Sequence, residues 1–181
     1  VNRQCPATAV TIGRPKVEAM AERLTAINPG CEIETRNSRF SSAASFSSLA
    51  SFDLIVDAID SVDCKAELIL GATEAGVPLV SSMGAALRLD PTKVKVTRFE
   101  KVEGDGLARA LRQRFKKLGR FPKGRFSCVW SMEVARGAIL EQAARTPLPH
   151  LGKGSLMQVT AVFGMCLASE AIGILTKGET K

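Results

Sequence analysis

Two carboxylates close an apolar stretch of this sequence and are well placed to do chemistry. Residues 52–61 read FDLIVDAIDS, so Asp57 and Asp60 stand three residues apart after a run of aliphatic side chains. The apolar run over 54–59 predicts a strand covered on both faces, as in a parallel sheet. Ligands of open α/β sheets lie beyond the carboxyl ends of the strands, so the pair could hold a Mg²⁺ ion that bridges phosphates. The alternative is structural, with Asp60 capping the next helix or meeting a surface lysine.

Two cations near the start of the chain are suited to bind phosphate. Lys16 ends the run GRPK at 13–16, where a helix over 15–27 is predicted to begin. Free N–H groups at a helix start favour an anion, whereas a lysine there opposes the helix dipole, which favours a functional role for Lys16. Arg3, in the run NRQ at 2–4, can bind a phosphate or carboxylate through two parallel hydrogen bonds.

The cysteines and the histidine narrow the classes of site. The five cysteines include no CxxC pair, so a structural zinc site has no support, and their scatter is typical of a reduced, intracellular chain. His150 is the single histidine, which excludes a multi-histidine metal site and argues against a Ser/His/Asp triad. Cys128, in the apolar run RFSCVWS, is interpreted as a buried structural cysteine rather than a nucleophile.

The elements that must position these residues alternate between strands and helices. Apolar spacing predicts helices over 15–27, 61–75, 106–118 and 156–175, and strands over 31–35, 54–59, 77–82, 93–99 and 126–130. The strand–helix–strand unit at 54–82 is the usual crossover of a parallel sheet, so one α/β domain over 1–181 is expected. The final helix approaches the length of a membrane span, but its polar residues favour a buried core or dimer-interface helix.

The net charge of +7 is concentrated in one segment. Residues 93–125 hold twelve Lys or Arg and three Asp or Glu, an excess of +9, whereas the remainder holds thirteen basic and fifteen acidic residues. Such a surface favours a polyanionic partner such as RNA, and the alternative is a solvated basic helix. No signal peptide is visible, and a cytoplasmic location is expected, with an organelle-associated form as the alternative in a eukaryote.

Several motifs in this order resemble one enzyme superfamily. They are NRQ at 2–4, GRPKVEAMAERLTAINPGCEI at 13–33, IVDAIDSVDCKAELI at 55–69 and VPLVSSMGAALRLDPTKVKV at 77–96. Together they resemble the adenylating enzymes related to ubiquitin activators. The segments at 77–96, 105–119, 128–135 and 154–172 are most similar to the subfamily that cyclises threonylcarbamoyladenosine in tRNA.

This resemblance implies a fold, a reaction and a set of site residues. The fold would be an α/β Rossmann-like sheet with flanking helices, lacking the first βαβ nucleotide-binding segment, whose glycine-rich loop would precede residue 1. The enzyme would use ATP and Mg²⁺ to adenylate the threonylcarbamoyl carboxylate at adenosine 37 of tRNA. Arg3 and Lys16 would contact the phosphates, Asp60 would stand at the Mg²⁺–phosphate position, and Ser61 would line the nucleotide together with Asn2 and Gln4. Asp57 would be a structural acid.

The implied partners are tRNA and a second copy of the chain, with a sulfur-transfer protein as a further candidate and no DNA. Two alternatives stay open at this point. One is an activator of a ubiquitin-like or sulfur-carrier protein, which would form an adenylate on the carrier and a thioester on a cysteine. The other is a non-catalytic truncated remnant that dimerises or binds RNA without binding ATP.

Overall fold

Two units make up the chain, and they carry very different amounts of regular structure. The computed structural model describes residues 5–40, 49–133 and 154–177. The first unit, Val1–Arg39, has the helix α1 (Lys16–Ile27). The second unit, Phe40–Lys181, has in order β1 (Ile55–Asp57), α2 (Val62–Glu74), β2 (Leu79–Ser82), β3 (Val94–Arg98), α3 (Gly106–Leu118), β4 (Ser127–Ser131) and α4 (Met157–Thr176). The expected single domain over 1–181 stays a prediction.

A four-stranded sheet forms the centre of the second unit. Its strand order is β1-β2-β4-β3, with β1, β2 and β4 parallel and β3 antiparallel to β4. In register, Asp57 pairs with Ser81, and Ser81 pairs with Cys128. The carboxyl ends of the three parallel strands therefore lie along one edge, and the predicted parallel crossover at 54–82 is confirmed.

Helices cover both faces of this sheet, because successive strand residues alternate between two apolar clusters. Leu79 and Cys128 point into a cluster with α2 and α3, whereas their neighbours Val80 and Val129 point into a cluster with α4. Period-two alternation of apolar side chains on both faces is what a sheet buried in an α/β domain requires. The predicted Rossmann-like α/β class is confirmed.

The helices that flank the sheet begin and end at residues suited to those positions. Asp105 caps α3 by accepting a hydrogen bond from the N–H of Ala108 at 2.8 Å. Gly119 ends the same helix with φ +64, a left-handed conformation that glycine adopts without steric cost. The sequence boundaries predicted for this helix, 106–118, are confirmed.

Two expectations about local structure are wrong. Residues 31–35 form no strand, because they have no neighbouring strand with which to pair in the described part of the chain. Cover is incomplete at β1, the first strand in the sheet order, since Val56 is 50% exposed. In α1, Ala19 is the one buried residue, and the apolar side chains of Leu24 and Ile27 are exposed.

Helix α4 presents two different faces. Val159, Phe163 and Leu167 are buried against β2 and β4, so one face belongs to the core as expected. The opposite face is apolar and exposed, with Met165 73% and Ile172 61% exposed. In the described ranges this is the one helix long and apolar enough to cross a membrane, with mean hydropathy 1.7. The inner face therefore fits the expected core helix, and the expected dimer-interface role of the outer face stays a prediction.

Candidate functional site

A buried ion pair holds the end of β1. The carboxylate of Asp57 lies 2.6 Å from the ammonium of Lys65, and both side chains have no exposed surface. The Ser81 hydroxyl donates to the same oxygen that Lys65 contacts, Oδ2 of Asp57, at 2.6 Å. The backbone N–H of Ile59 donates to Oδ1 of Asp57 at 3.0 Å. Asp57 is therefore a structural acid, as the sequence reasoning proposed, and all its partners come from the protein.

Lys65 is the residue that sequence reasoning missed. It lies on α2, and its Nζ also donates to the carbonyl of Ile59 at 3.1 Å. Lys65 therefore contacts both Asp57 at the end of β1 and the turn that follows the strand. A signal for this role was present, because Lys65 falls on the buried stripe of α2 between Val62 and Ile69. A lysine on such a stripe needs a buried partner, and Asp57 on the apolar strand is that partner.

The clamped turn carries Asp60 to the surface. Because Asp57 and Lys65 fix the two ends of residues 57–59, the next carboxylate is held just before α2. Asp60 is exposed, and no hydrogen bond or ion pair engages it within the described residues. Ser61 occupies the N-cap position of α2 but makes no side-chain capping hydrogen bond. Asp60 is thus available for a cation or ligand, and the capping alternative is not what the structure shows.

The other predicted site residues fall elsewhere. Lys16 is the first residue of α1, is exposed, and has no hydrogen-bond or ion-pair partner among the described residues. It belongs to the first unit, whereas Asp60 and Ser61 belong to the second. Asn2, Arg3 and Gln4 lie outside the described residues. The roles of these residues in binding nucleotide stay predictions.

The loop over 83–90 lies at the same edge of the sheet, after β2. Gly84 follows Ser81 by three residues as Asp60 follows Asp57, and its N–H donates to Oδ2 of Asp105 at 3.2 Å. Glu133, just after β4, accepts the N–H groups of Leu89 and Asp90 at 2.8 and 2.9 Å. The Asp90 N–H, and less strongly that of Leu89, lowers the pKa of Glu133, so its carboxylate anchors the loop.

Arg88 is a buried cation in this loop. Its side chain is 3% exposed, and Nη2 lies 3.7 Å from Oδ2 of Asp105, farther than a hydrogen bond. Its Nε and Nη1 atoms have no hydrogen-bond partner among the residues that the structure describes. The preceding residue, Leu87, has φ +61, a left-handed conformation that is costly for a side chain of this kind. Sequence reasoning gave Arg88 no role.

Cys128 lies in the middle of the sheet and is fully buried. Burial in apolar surroundings raises the pKa of its thiol far above the usual range, so the thiol stays protonated and unreactive at neutral pH. The interpretation of Cys128 as a structural cysteine is confirmed.

We expect a thiol-labelling experiment to separate the cysteines by exposure. In the folded protein at about pH 8, iodoacetamide should modify the exposed Cys5 and Cys31 and leave Cys128 unmodified, because only the thiolate attacks. Peptide mass spectrometry reads the labelled positions, and labelling in urea is the control that makes Cys128 accessible. Equal rates for Cys128 and Cys31 in the folded protein would contradict the burial argument.

A cavity of about 310 Å³ lies at the opposite edge of the sheet. Its lining includes Leu79 and Ser127, the first residues of β2 and β4, together with Arg98 and Arg125. Ligands of open parallel sheets sit at the carboxyl ends of the strands, so this cavity is not where a nucleotide is expected. The edge that carries Asp60 is the candidate site.

A mostly parallel sheet with helices on both faces, and an exposed carboxylate beyond the carboxyl end of its first described strand, define an α/β protein of the Rossmann-like class. The chain belongs to the ThiF family, which matches residues 1–181.

Its relatives include two tRNA threonylcarbamoyladenosine dehydratases and, over a shorter stretch, a molybdopterin-synthase adenylyltransferase. The tRNA threonylcarbamoyladenosine dehydratase of Escherichia coli is 34% identical, over 94% of this chain and 70% of that protein. The corresponding Haemophilus influenzae protein is 31% identical, over 99% of this chain and 72% of its own length. The molybdopterin-synthase adenylyltransferase of Escherichia coli is 35% identical over a shorter stretch, 64% of this chain.

A solved structure agrees with the sequence relationship. The crystal structure of the Escherichia coli dehydratase in complex with ATP superposes with a TM-score of 0.83 at 32% sequence identity. It covers 99% of this chain and 72% of that chain. A second crystal structure of the same enzyme, in complex with AMP, also has a TM-score of 0.83. The resemblance read from the motifs is confirmed.

Proposed function

We propose that the protein is an ATP-dependent tRNA threonylcarbamoyladenosine dehydratase. The observation that carries this proposal is the match along nearly the whole chain, in sequence and in fold, to an enzyme of that name whose structure holds ATP. The clamped turn that presents Asp60 at the carboxyl edge of the sheet supports the same function. The substrate would be the threonylcarbamoyl carboxylate, activated by transfer of the adenylyl group.

The chemistry requires charge stabilisation more than proton transfer. When a carboxylate oxygen attacks the α-phosphate of ATP, negative charge builds on the departing pyrophosphate. Lys16, and Arg3 by resemblance, would neutralise that charge. Asp60 would act from the edge of the sheet, held there by the pair of Asp57 and Lys65. This distribution of roles is consistent with a chain that has a single histidine.

The residues at the edge fit a Mg²⁺ ion bound together with phosphates. The described residues contain no group of three or more His, Cys, Asp or Glu that could hold a metal by themselves. Mg²⁺ in phosphate-transfer sites typically takes one or two carboxylates and completes its shell with phosphate oxygens and waters. An exposed carboxylate without a protein partner, as at Asp60, meets that requirement. When bound, the ion would supply a positive charge beside the phosphates.

A basic surface around α3 supports tRNA as the partner. Some of its arginines serve the fold: Arg112 donates to the carbonyls of Phe99 and Val102, and Arg120 pairs with Glu74. Other cations are exposed and lack a partner among the described residues: Lys95, Arg98, Lys101, Arg109, Lys116, Lys117, Lys123 and Arg125. These cations would contact the phosphate backbone of tRNA.

The apolar outer face of α4 supports a homodimer, and the cytoplasmic location stays a prediction.

The experiment that tests the function uses the intact protein. It is incubated with ATP, Mg²⁺ and tRNA that carries threonylcarbamoyladenosine, and the nucleosides are analysed by mass spectrometry. The proposal expects conversion to the cyclic form, dependent on ATP. Failure to convert under conditions in which the Escherichia coli enzyme is active would remove the proposal. Absence of ATP binding by calorimetry would instead favour a non-catalytic remnant.

Activation of a carrier protein is the runner-up function, favoured by the shorter match to the molybdopterin-synthase enzyme. It predicts an adenylate on a carrier C-terminus and a thioester on a cysteine. Buried Cys128 cannot serve as that cysteine, because its thiol is sheltered and protonated. Full activity in a Cys128→Ser variant would count further against this function.

Lys16 gives a direct test of the phosphate-binding assignment. We expect Lys16→Ala to lower the rate of ATP–pyrophosphate exchange by about 100-fold to 1000-fold, the usual effect of removing one donor to developing charge. The side chain is exposed and without a partner, so the unfolding midpoint should not change. The exposed Lys177, at the other end of the described chain, gives a matched control as Lys177→Ala. Equal exchange in the two variants would remove Lys16 from the site.

A further inference from the structure

We infer that Arg88 is the binding group for an oxyanion of the substrates at the carboxyl edge of the sheet. The inference rests on the proposed function, because that function supplies the two candidate oxyanions. One is a phosphate of ATP, and the other is the carboxylate that is adenylated.

The first argument is the unmet hydrogen-bonding capacity of Arg88. Its side chain is 3% exposed, and neither Nε nor Nη1 has an acceptor within the described ranges of the chain. A buried charged group without hydrogen bonds is costly, and such groups are otherwise paired. A guanidinium carries five N–H donors in a fixed plane that matches the geometry of carboxylates and phosphates. An oxyanion would therefore satisfy donors that the described residues leave open.

The second argument is that the nearby acids are already engaged. Asp105 accepts the N–H of Ala108 at 2.8 Å and that of Gly84 at 3.2 Å, and it stands 3.7 Å from Arg88. Glu133 accepts the N–H groups of Leu89 and Asp90. These carboxylates fix the loop and the start of α3, and they do not complete the shell of Arg88. The acids hold the arginine in place without consuming all of its donors.

The third argument is position. Arg88 follows β2, and the register pairs Ser81 of β2 with Asp57 of β1, so the segments that carry Arg88 and Asp60 leave the same edge of the sheet. A side chain at Gly84 would bring its Cβ within 3.3 Å of Asp105, so the glycine permits the close approach of the loop to that acid. The left-handed Leu87, whose N–H donates to the carbonyl of Gly154 at 2.8 Å, holds the residue before Arg88 in an unusual conformation.

The ligand role and a purely structural role make opposite predictions for stability. If Arg88 served only the fold, Arg88→Met would lower the free energy of unfolding. If it is held for an oxyanion, Arg88→Met removes an unsatisfied charge, and the ligand-free protein should be as stable as wild type or more stable. Asp105 would keep its two backbone donors in this variant.

The experiment measures binding to the intact protein by calorimetry, in wild type, Arg88→Lys and Arg88→Met. The probes are inorganic pyrophosphate and ATP, each with Mg²⁺, and the same tRNA with and without threonylcarbamoyladenosine. We expect Arg88→Lys to weaken binding of one oxyanion about 10-fold to 100-fold, because the charge is kept while the planar set of donors is lost. Weaker binding of ATP and pyrophosphate would identify a phosphate as the ligand of Arg88. Loss of the preference for the modified tRNA would identify the carboxylate as that ligand.

Arg112→Met is the matched control, since Arg112 already has the carbonyls of Phe99 and Val102 as acceptors. It should lower stability and leave the affinity for pyrophosphate, ATP and the modified base unchanged. Folded Arg88→Lys with wild-type affinity for every probe would overturn the inference while leaving the proposed function intact. If Arg88→Lys loses oxyanion binding while the wild-type protein converts no tRNA, the inference about Arg88 is kept and the proposed function is removed.

Discussion

Replacing Asp60 by Asn is expected to lower ATP–pyrophosphate exchange by about 1000-fold or more, without loss of folding. The amide keeps the shape of the side chain and loses the charge, so a cation beside the phosphates loses its ligand. Asp60 is exposed and has no protein partner in the described part of the chain, so the unfolding midpoint should match that of wild type. Exchange of labelled pyrophosphate into ATP and urea unfolding measure the two quantities.

The strand that ends before Asp60 offers a matched control for this variant. Asp53 is an exposed acid just before β1, at the opposite edge of the sheet. Asp53→Asn changes net charge by the same amount and should leave exchange unchanged. If Asp60→Asn keeps normal exchange, or if the two variants lose activity equally, the assignment of Asp60 to the Mg²⁺–phosphate position is wrong.

The second large effect is expected at the buried pair beneath that turn. Asp57→Asn should lower the free energy of unfolding by about 3–5 kcal/mol, because it leaves the Lys65 ammonium buried without its counter-charge. Lys65 has no exposed surface and lies 2.6 Å from the carboxylate of Asp57. A small domain has about 5–15 kcal/mol of stability in total, so the variant should be marginally folded. Urea unfolding followed by circular dichroism measures the loss.

The double variant Asp57→Asn with Lys65→Met separates the pair from its surroundings. Removing both charges should recover much of the stability, since a buried pair replaced by neutral groups is often nearly neutral. If Asp57→Asn and Lys65→Met each lower the free energy of unfolding by less than about 1 kcal/mol, the ion pair does not hold the turn. Exchange activity should fall in the double variant even where stability returns, because the turn before Asp60 loses both of its anchors.

The relation between Asp57 and Asp60 is the physical core of the proposed site. One acid is buried, is satisfied by Lys65, Ser81 and the N–H of Ile59, and fixes the backbone. The other follows three residues later at the surface and keeps its charge available. The two carboxylates at the end of one strand therefore have different roles. Asp57 holds the backbone in place, and Asp60 is proposed as a ligand of the cation beside the phosphates.

The proposed enzyme and the proposed carrier activator would share this arrangement, since adenylation of a carboxylate is common to both. The difference lies in what presents the carboxylate. The basic surface around α3 favours a polyanion, and the burial of Cys128 removes one candidate for a thioester. The length of the match to the dehydratases, in sequence and in structure, favours the same choice.

Apolar patterning along the chain is enough to predict the class of the fold and the order of its elements. Apolar runs and helical apolar spacing located the four strands of the sheet and the four α-helices of the described residues, with boundaries for α3 that agree to the residue. Local capping residues explain this success, because Asp105 and Gly119 fix the ends of that helix from neighbouring atoms alone. The motif order around Asp57 and Asp60 also indicated the family, which the comparisons confirm.

Which polar residues are buried, and which residues they contact, depends on the packing of elements that are distant in the sequence. The pairing of Asp57 with Lys65 joins β1 to α2, and the near approach of Arg88 to Asp105 joins the loop after β2 to the start of α3. Apolar periodicity reports which face of an element turns inward, but the partner of a buried charge depends on how separate elements pack. For the same reason the sequence did not reveal that Val56 is exposed, since local spacing does not specify which apolar faces are covered.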